Sequence, residues 1–160
     1  MVLVCTLLCP LSALAADMPE TRFFSQDASD YTLATEVLKD SGLDATLDAA
    51  GNDILQAEKL RASLPDSAFV SAKRAMFRCT YAWMLIQKAG QPVTPEQNKQ
   101  ARELLGSVRA FFGWDKPSLD RMAARTGSLL QEMLTAREAR EIVSQGIDPK
   151  EAAAAKALER

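Results

Sequence analysis

One run of the chain constrains its fold more than any other. Between Phe69 and Ile86, the apolar residues Phe69, Ala72, Met76, Cys79, Trp83 and Ile86 recur at intervals of three, four, three, four and three. That spacing lines side chains along one face of an α-helix. Val70, Phe77 and Met84 widen the face on one side, and Ala75 and Ala82 widen it on the other. At about 100° per residue the apolar arc covers roughly 240°. Only Ser71, Arg74 and Arg78 are left as a narrow polar stripe. A helix this apolar has to be surrounded by others, so the segment at about 67–89 is expected to form the centre of a bundle.

The flanking sequence reads as more helices with clear punctuation. A first helix is expected at about 30–41, with Leu33, Val37 and Leu38 on its inner side and Gly42 as its stop. A second, at about 44–64, carries the stripe Leu43, Leu47, Ala50, Ile54 and Ala57. Gly51-Asn52 is expected to kink or divide it, and Pro65 to end it. Asp66 or Ser67 is the expected cap of the central helix, which runs to Ala89. A fourth helix starts with Thr94-Pro95-Glu96-Gln97, a capping box with proline at the first helical position. Its stripe is Ala101, Leu104, Leu105, Val108, Phe111 and Phe112, and Gly113 stops it.

After the turn Trp114-Asp115-Lys116-Pro117, a fifth stripe runs through Leu119, Met122, Ala123, Thr126, Leu129, Leu130, Met133 and Leu134. The same face then carries Arg137, Arg140 and Glu141, which do not suit a core. Either the helix projects beyond the bundle there or it breaks near Thr135. A last helix begins at Asp148-Pro149-Lys150-Glu151 and continues to Leu158. No segment alternates apolar and polar residues as a half-buried strand does. The expected fold is therefore all-α: a compact bundle of five or six antiparallel helices around a central apolar helix, preceded by a signal peptide.

The signal peptide is read from Met1 to Ala16, an uncharged, mostly apolar stretch ending in Ala13-Leu14-Ala15-Ala16. Small residues at its end suit cleavage, and it is shorter than the roughly 20 residues of a membrane span. It departs from the usual pattern in having no Lys or Arg near its start. Cys5 and Cys9 follow Val4 and Leu8, too early for a lipoprotein site. Residues 17–28 are expected to be an extended lead-in and 29–160 a single helical domain, periplasmic or secreted. Cleavage would leave Cys79 as the one cysteine. With no partner for a disulfide, the helices have to hold by packing alone.

The chemistry is narrowed mainly by exclusion. The chain contains no histidine, which removes Ser-His-Asp and Cys-His nucleophile systems, histidine-ligated zinc, di-iron Glu-x-x-His pairs and c-type haem. The acidic stretch from Asp48 to Asp53 fails as a calcium loop: Ala50, Asp53 and Lys59 stand where a ligand, a glycine and a glutamate are needed. Neither G-x-S-x-G nor S-x-x-K occurs. Ser71 and Lys73, two apart, point to different sides of a helix. The 19 basic and 21 acidic residues are dispersed, with no basic footprint for a nucleic acid. Cys79, in the apolar seam, reads as a small buried hydrophobe.

These readings point to a non-enzymatic protein without metal or cofactor, acting by binding another protein of the cell envelope. Adaptor, chaperone and inhibitor or immunity roles all fit. Candidate contact residues are Phe23, Phe24 and Trp114, aromatic residues outside strong helical patterns, and Arg137 and Arg140 in a mixed-charge stretch with Glu138 and Glu141. The alternative is a carrier of a small apolar or lipid-like ligand, held between the third and fourth helices among Met76, Trp83, Phe111 and Phe112.

Overall fold

The computed structural model describes residues 23–24, 27–40, 42–90 and 92–158. The signal segment and most of the lead-in lie outside the described residues. Among the described residues six helices follow one another: α1 (Asp27–Val37), α2 (Gly42–Leu60), α3 (Pro65–Lys88), α4 (Pro95–Phe112), α5 (Lys116–Ser144) and α6 (Pro149–Leu158). No strand occurs among the described residues. The described residues form a compact, all-helical structure.

Helix α3 packs against α1, α2, α4 and α5. Along its middle, Ala72, Ala75, Met76, Phe77, Cys79 and Ala82 are all but inaccessible to water. Opposite them, α2 buries Leu47, Ala50, Ile54 and Ala57, the stripe expected from spacing. Small side chains on both helices let their backbones approach, and Phe77, Met76 and Leu47 fill the larger gaps. Each such large side chain contributes about 1.5–3 kcal/mol on burial. Helices α4 and α5 are covered less completely. Only Ala101 and Val108 of α4, and Met122, Thr126 and Leu130 of α5, are fully withdrawn from water. The enclosure of α3 correspondingly ends at Ala82, and Trp83 to Ile86 are half-buried.

The ends of the elements differ from expectation in ways that have local causes. Helix α1 begins at Asp27, so residues 27 and 28 are helical rather than extended, and it ends at Val37. Lys39 and Asp40 close it with tighter bonds to the carbonyls of Glu36 and Val37, at 3.2 and 3.1 Å. Gly42 opens α2 instead of closing α1. Helix α2 is unbroken through Gly51 and Asn52 and ends at Leu60, before Pro65. A Cβ placed on Gly51 would lie 3.8 Å from Leu104 Cδ2, so the residue marks where α2 faces α4 and not a kink. Pro65 starts α3 rather than stopping α2; its fixed φ suits a first helical position. The cap of α3 is Leu64, which offers no side-chain acceptor, so neither Asp66 nor Ser67 caps the helix.

Helix α4 has the ends its sequence predicts. Gln97 N donates to Thr94 Oγ1 at 3.2 Å, and Thr94 N donates to Gln97 Oε1 at 3.0 Å. At the far end Gly113 adopts φ +66°, a left-handed conformation that costs other residues about 1–2 kcal/mol. Asp115 caps α5 by accepting from Ser118 N at 2.8 Å, and hydrogen bonding from Ser118 holds its carboxyl below the usual range. Of the two outcomes foreseen near Thr135, the helix does not break: α5 runs on to Ser144.

Candidate binding surfaces

Phe23 and Phe24 are buried, not displayed. Phe23 is the hub of an aromatic cluster at one end of the bundle. Its ring lies 4.9 Å from that of Phe24, 5.5 Å from Phe112 and 5.3 Å from Trp114, all edge-on. Phe112 stacks on Trp114 at 4.4 Å, and Phe69 meets both Phe23 and Phe112. Edge-on and offset pairs at these distances add about 0.5–1.5 kcal/mol each beyond burial. The two phenylalanines and the loop tryptophan thus seal the core beside the ends of α3 and α4. Trp114 Nε1 is buried without a hydrogen-bond partner among the described residues.

The polar stripe of α3 faces neighbouring helices rather than water. Lys73 Nζ pairs with Asp30 Oδ1 and donates to the carbonyl of Phe23, and both charged side chains are buried. It also lies 5.1 Å from the centre of the Phe23 ring. The next residue, Arg74, reaches Glu36 Oε2 through Nε at 3.1 Å, and one turn further Arg78 Nε reaches Asp40 Oδ2 at 2.9 Å. Asp53 of α2 completes the network, paired with Arg78 and lying 3.7 Å from Arg74. Burial outweighs both arginines and raises the Asp53 carboxyl above its usual range. At Arg78, burial opposes the charge, but the hydrogen bond to Asp40 and the charge of Asp53 outweigh it and raise the pKa. This network was not among the features expected from the sequence. A signal was present: Glu36 and Asp40 are four apart, and so are Arg74 and Arg78, so the two pairs match turn for turn.

Cys79 lies under the same network. It is a free, buried thiol; burial, with a smaller effect from the Asp53 charge, pushes its pKa up to about 12. That is the opposite of what a reactive thiol requires.

Beyond Leu134 the side chains of α5 are exposed, apart from the half-buried Ile142. Arg137 reaches back: NH1 donates to the Leu38 carbonyl at 3.0 Å, while Nε bonds Glu141 Oε1 at 2.9 Å. Between this stretch and the end of α1 lies a cleft of about 630 Å³, with Leu38, Tyr81 and Met133 as its apolar wall and Lys39, Arg137 and Arg140 around it. Arg137 and Arg140 are therefore brought together at one cleft, far in sequence from its other wall. Farther on, Val143 and Ile147 are exposed, as is Leu158 at the end of α6. Helix α6 contains no buried residue.

Trp83, half-buried, lines a second cleft of about 390 Å³ with Thr80, Met84, Leu105, Leu119 and the small residues Ala123, Ala124 and Gly127 of α5. Met76, Phe111 and Phe112, grouped with Trp83 in the ligand reading, are not on its walls. Met76 is wholly inside the core, and Phe112 belongs to the aromatic seal.

Among the described residues, no group of three or more Cys, Asp or Glu side chains is placed to hold a metal ion. No helix there is long and apolar enough to cross a membrane. Compared with known proteins, the chain matches no family model, no curated protein and no solved structure.

Proposed function

We propose that this chain is exported and works without catalysis, by binding a protein partner in the cell envelope as an adaptor, chaperone or inhibitor. In this reading Met1 to Ala16 are removed as a signal peptide, and the short connections set successive helices antiparallel. The observation that supports partner binding is the arm formed by the end of α5 and by α6. It contains no fully buried residue, and Val143, Ile147 and Leu158 are 64%, 45% and 88% exposed. Single apolar residues on a surface are ordinary, but three on one arm outside the core suit a contact made with another molecule. A photo-crosslinking residue in place of Val143 or Ile147, in native cells, tests this. A discrete protein adduct is expected at both positions, and none from Leu55, an exposed position on the body of α2. Arm positions that give no adduct, or the same smear as Leu55, would overturn the reading.

A second reading, a carrier of a small apolar ligand, is favoured by the Trp83 cleft. Its volume and largely apolar walls fit a ligand site. Native mass spectrometry separates the two, because a carrier purified from its own cells should retain a lipid-like mass that Trp83→Ala loses.

A further inference from the structure

The cleft at the end of α1 combines an apolar wall with an excess of positive charge among its lining side chains. Three cations line it, Lys39, Arg137 and Arg140, against one acid, Asp40. Asp40 is already engaged by Arg78. Arg137 is partly engaged, holding Glu141 and the Leu38 carbonyl. Lys39 and Arg140 form no ion pair with a carboxylate among the described residues, and the Arg140 Nε donates only to the carbonyl of Ala136 in its own helix, at 3.2 Å. On a chain with net charge −2, this is a local reversal of sign. Leu38, Tyr81 and Met133 form the wall between these cations. Leu38 and Tyr81 are themselves nearly buried, which fixes their position against the core.

We propose that this cleft binds an amphiphilic organic anion. Its alkyl or aryl part lies against Leu38, Tyr81 and Met133, and its carboxylate or phosphate head lies among Lys39, Arg140 and the free edge of Arg137. An ionised head accepts charge-assisted hydrogen bonds from guanidinium and ammonium groups, the stronger class of such bonds. A volume of about 630 Å³ falls in the range of small-molecule sites. The site rests on different side chains from the partner surface at Val143, Ile147 and Leu158, so each can fail without the other.

Isothermal titration of the full chain with octyl phosphate, octanoate, octyl glucoside and inorganic phosphate, each below its micelle concentration, tests the proposal. Both octyl anions should saturate a single site, with octyl glucoside and inorganic phosphate at least tenfold weaker. The double variant Lys39→Gln/Arg140→Gln, which changes only exposed side chains, should weaken the anions tenfold or more and leave the helical circular dichroism unchanged. Met133→Ala should weaken the octyl anions severalfold and leave inorganic phosphate unaffected. Equal binding of octyl glucoside would show non-selective apolar adsorption and overturn the proposal. So would inorganic phosphate binding as tightly as octyl phosphate, anion affinity unchanged in the double variant, or no saturable binding at all.

Discussion

The Lys73 ammonium sits against the Asp30 carboxylate, with the two side chains only 6% and 5% exposed. This pair joins α1 to the centre of the bundle. It also holds the aromatic seal in place, because the same ammonium donates to the Phe23 carbonyl. Taking both charges out of water is costly, and the pair is tolerated because each supplies what the other lost.

Lys73→Met leaves Asp30 buried without its counter-charge and should cost about 3–5 kcal/mol. Lys73→Met/Asp30→Leu removes both charges and should recover much of that loss. Urea unfolding of the three proteins measures it. A double variant less stable than Lys73→Met would show that the pair is not an isolated buried unit.

The core has a graded depth that two substitutions should reveal. Phe77 is wholly buried, and Phe77→Ala should cost about 3–5 kcal/mol. Trp83 is half-buried on the wall of a cleft, so Trp83→Ala should cost distinctly less, despite the larger side chain. The difference in urea midpoints, at equal slope, decides it.

Cys79 should make the protein sensitive to alkali. Its folded pKa stands at about 12 against an ordinary 9.0. The stability linked to the neutral thiol is therefore complete below pH 9 and is lost as the pH rises toward 12, because the unfolded chain ionises first. The slope approaches about 1.4 kcal/mol per pH unit above 9. With Cys5 and Cys9 replaced by Ser in both proteins, Cys79→Ala should be less stable at pH 8 because of the cavity. Between pH 8 and pH 10 it should lose less stability than its parent. Parallel losses would mean that the thiol is not held neutral.

Two glycines of α4 and its end should respond in opposite directions. Gly106 is helical, and an added Cβ would meet nothing within 4 Å. Gly106→Ala should therefore stabilise by about 0.5–1 kcal/mol. Gly113→Ala, at φ +66°, should destabilise by about 1–2 kcal/mol. Thermal unfolding monitored by circular dichroism reads both.

Helix α6 should be dispensable for folding. Helix α6 buries no residue, so ending the chain at Ser144 should change unfolding free energy by less than about 0.5 kcal/mol. The same truncation should weaken the adduct formed through Val143. A large loss of stability would show that α6 is part of the core after all.

What the sequence determined by itself is the set of helices and most of their inner faces. The stripe from Leu47 to Ala57, the seam from Ala72 to Ala82, the Thr94 capping box and the Gly113 stop depend on neighbours within a few residues, where periodicity and capping chemistry act. Tertiary structure decided which polar groups meet. Lys73 finds Asp30, Arg78 finds Asp40 and Asp53, and Arg137 finds the Leu38 carbonyl only because packing brings α1, α2 and α5 onto three sides of α3. It also decided that Phe23 and Phe24 are enclosed while Trp83 borders a cleft. Aromatic side chains read alike in either place, and burial depends on what the rest of the chain leaves uncovered.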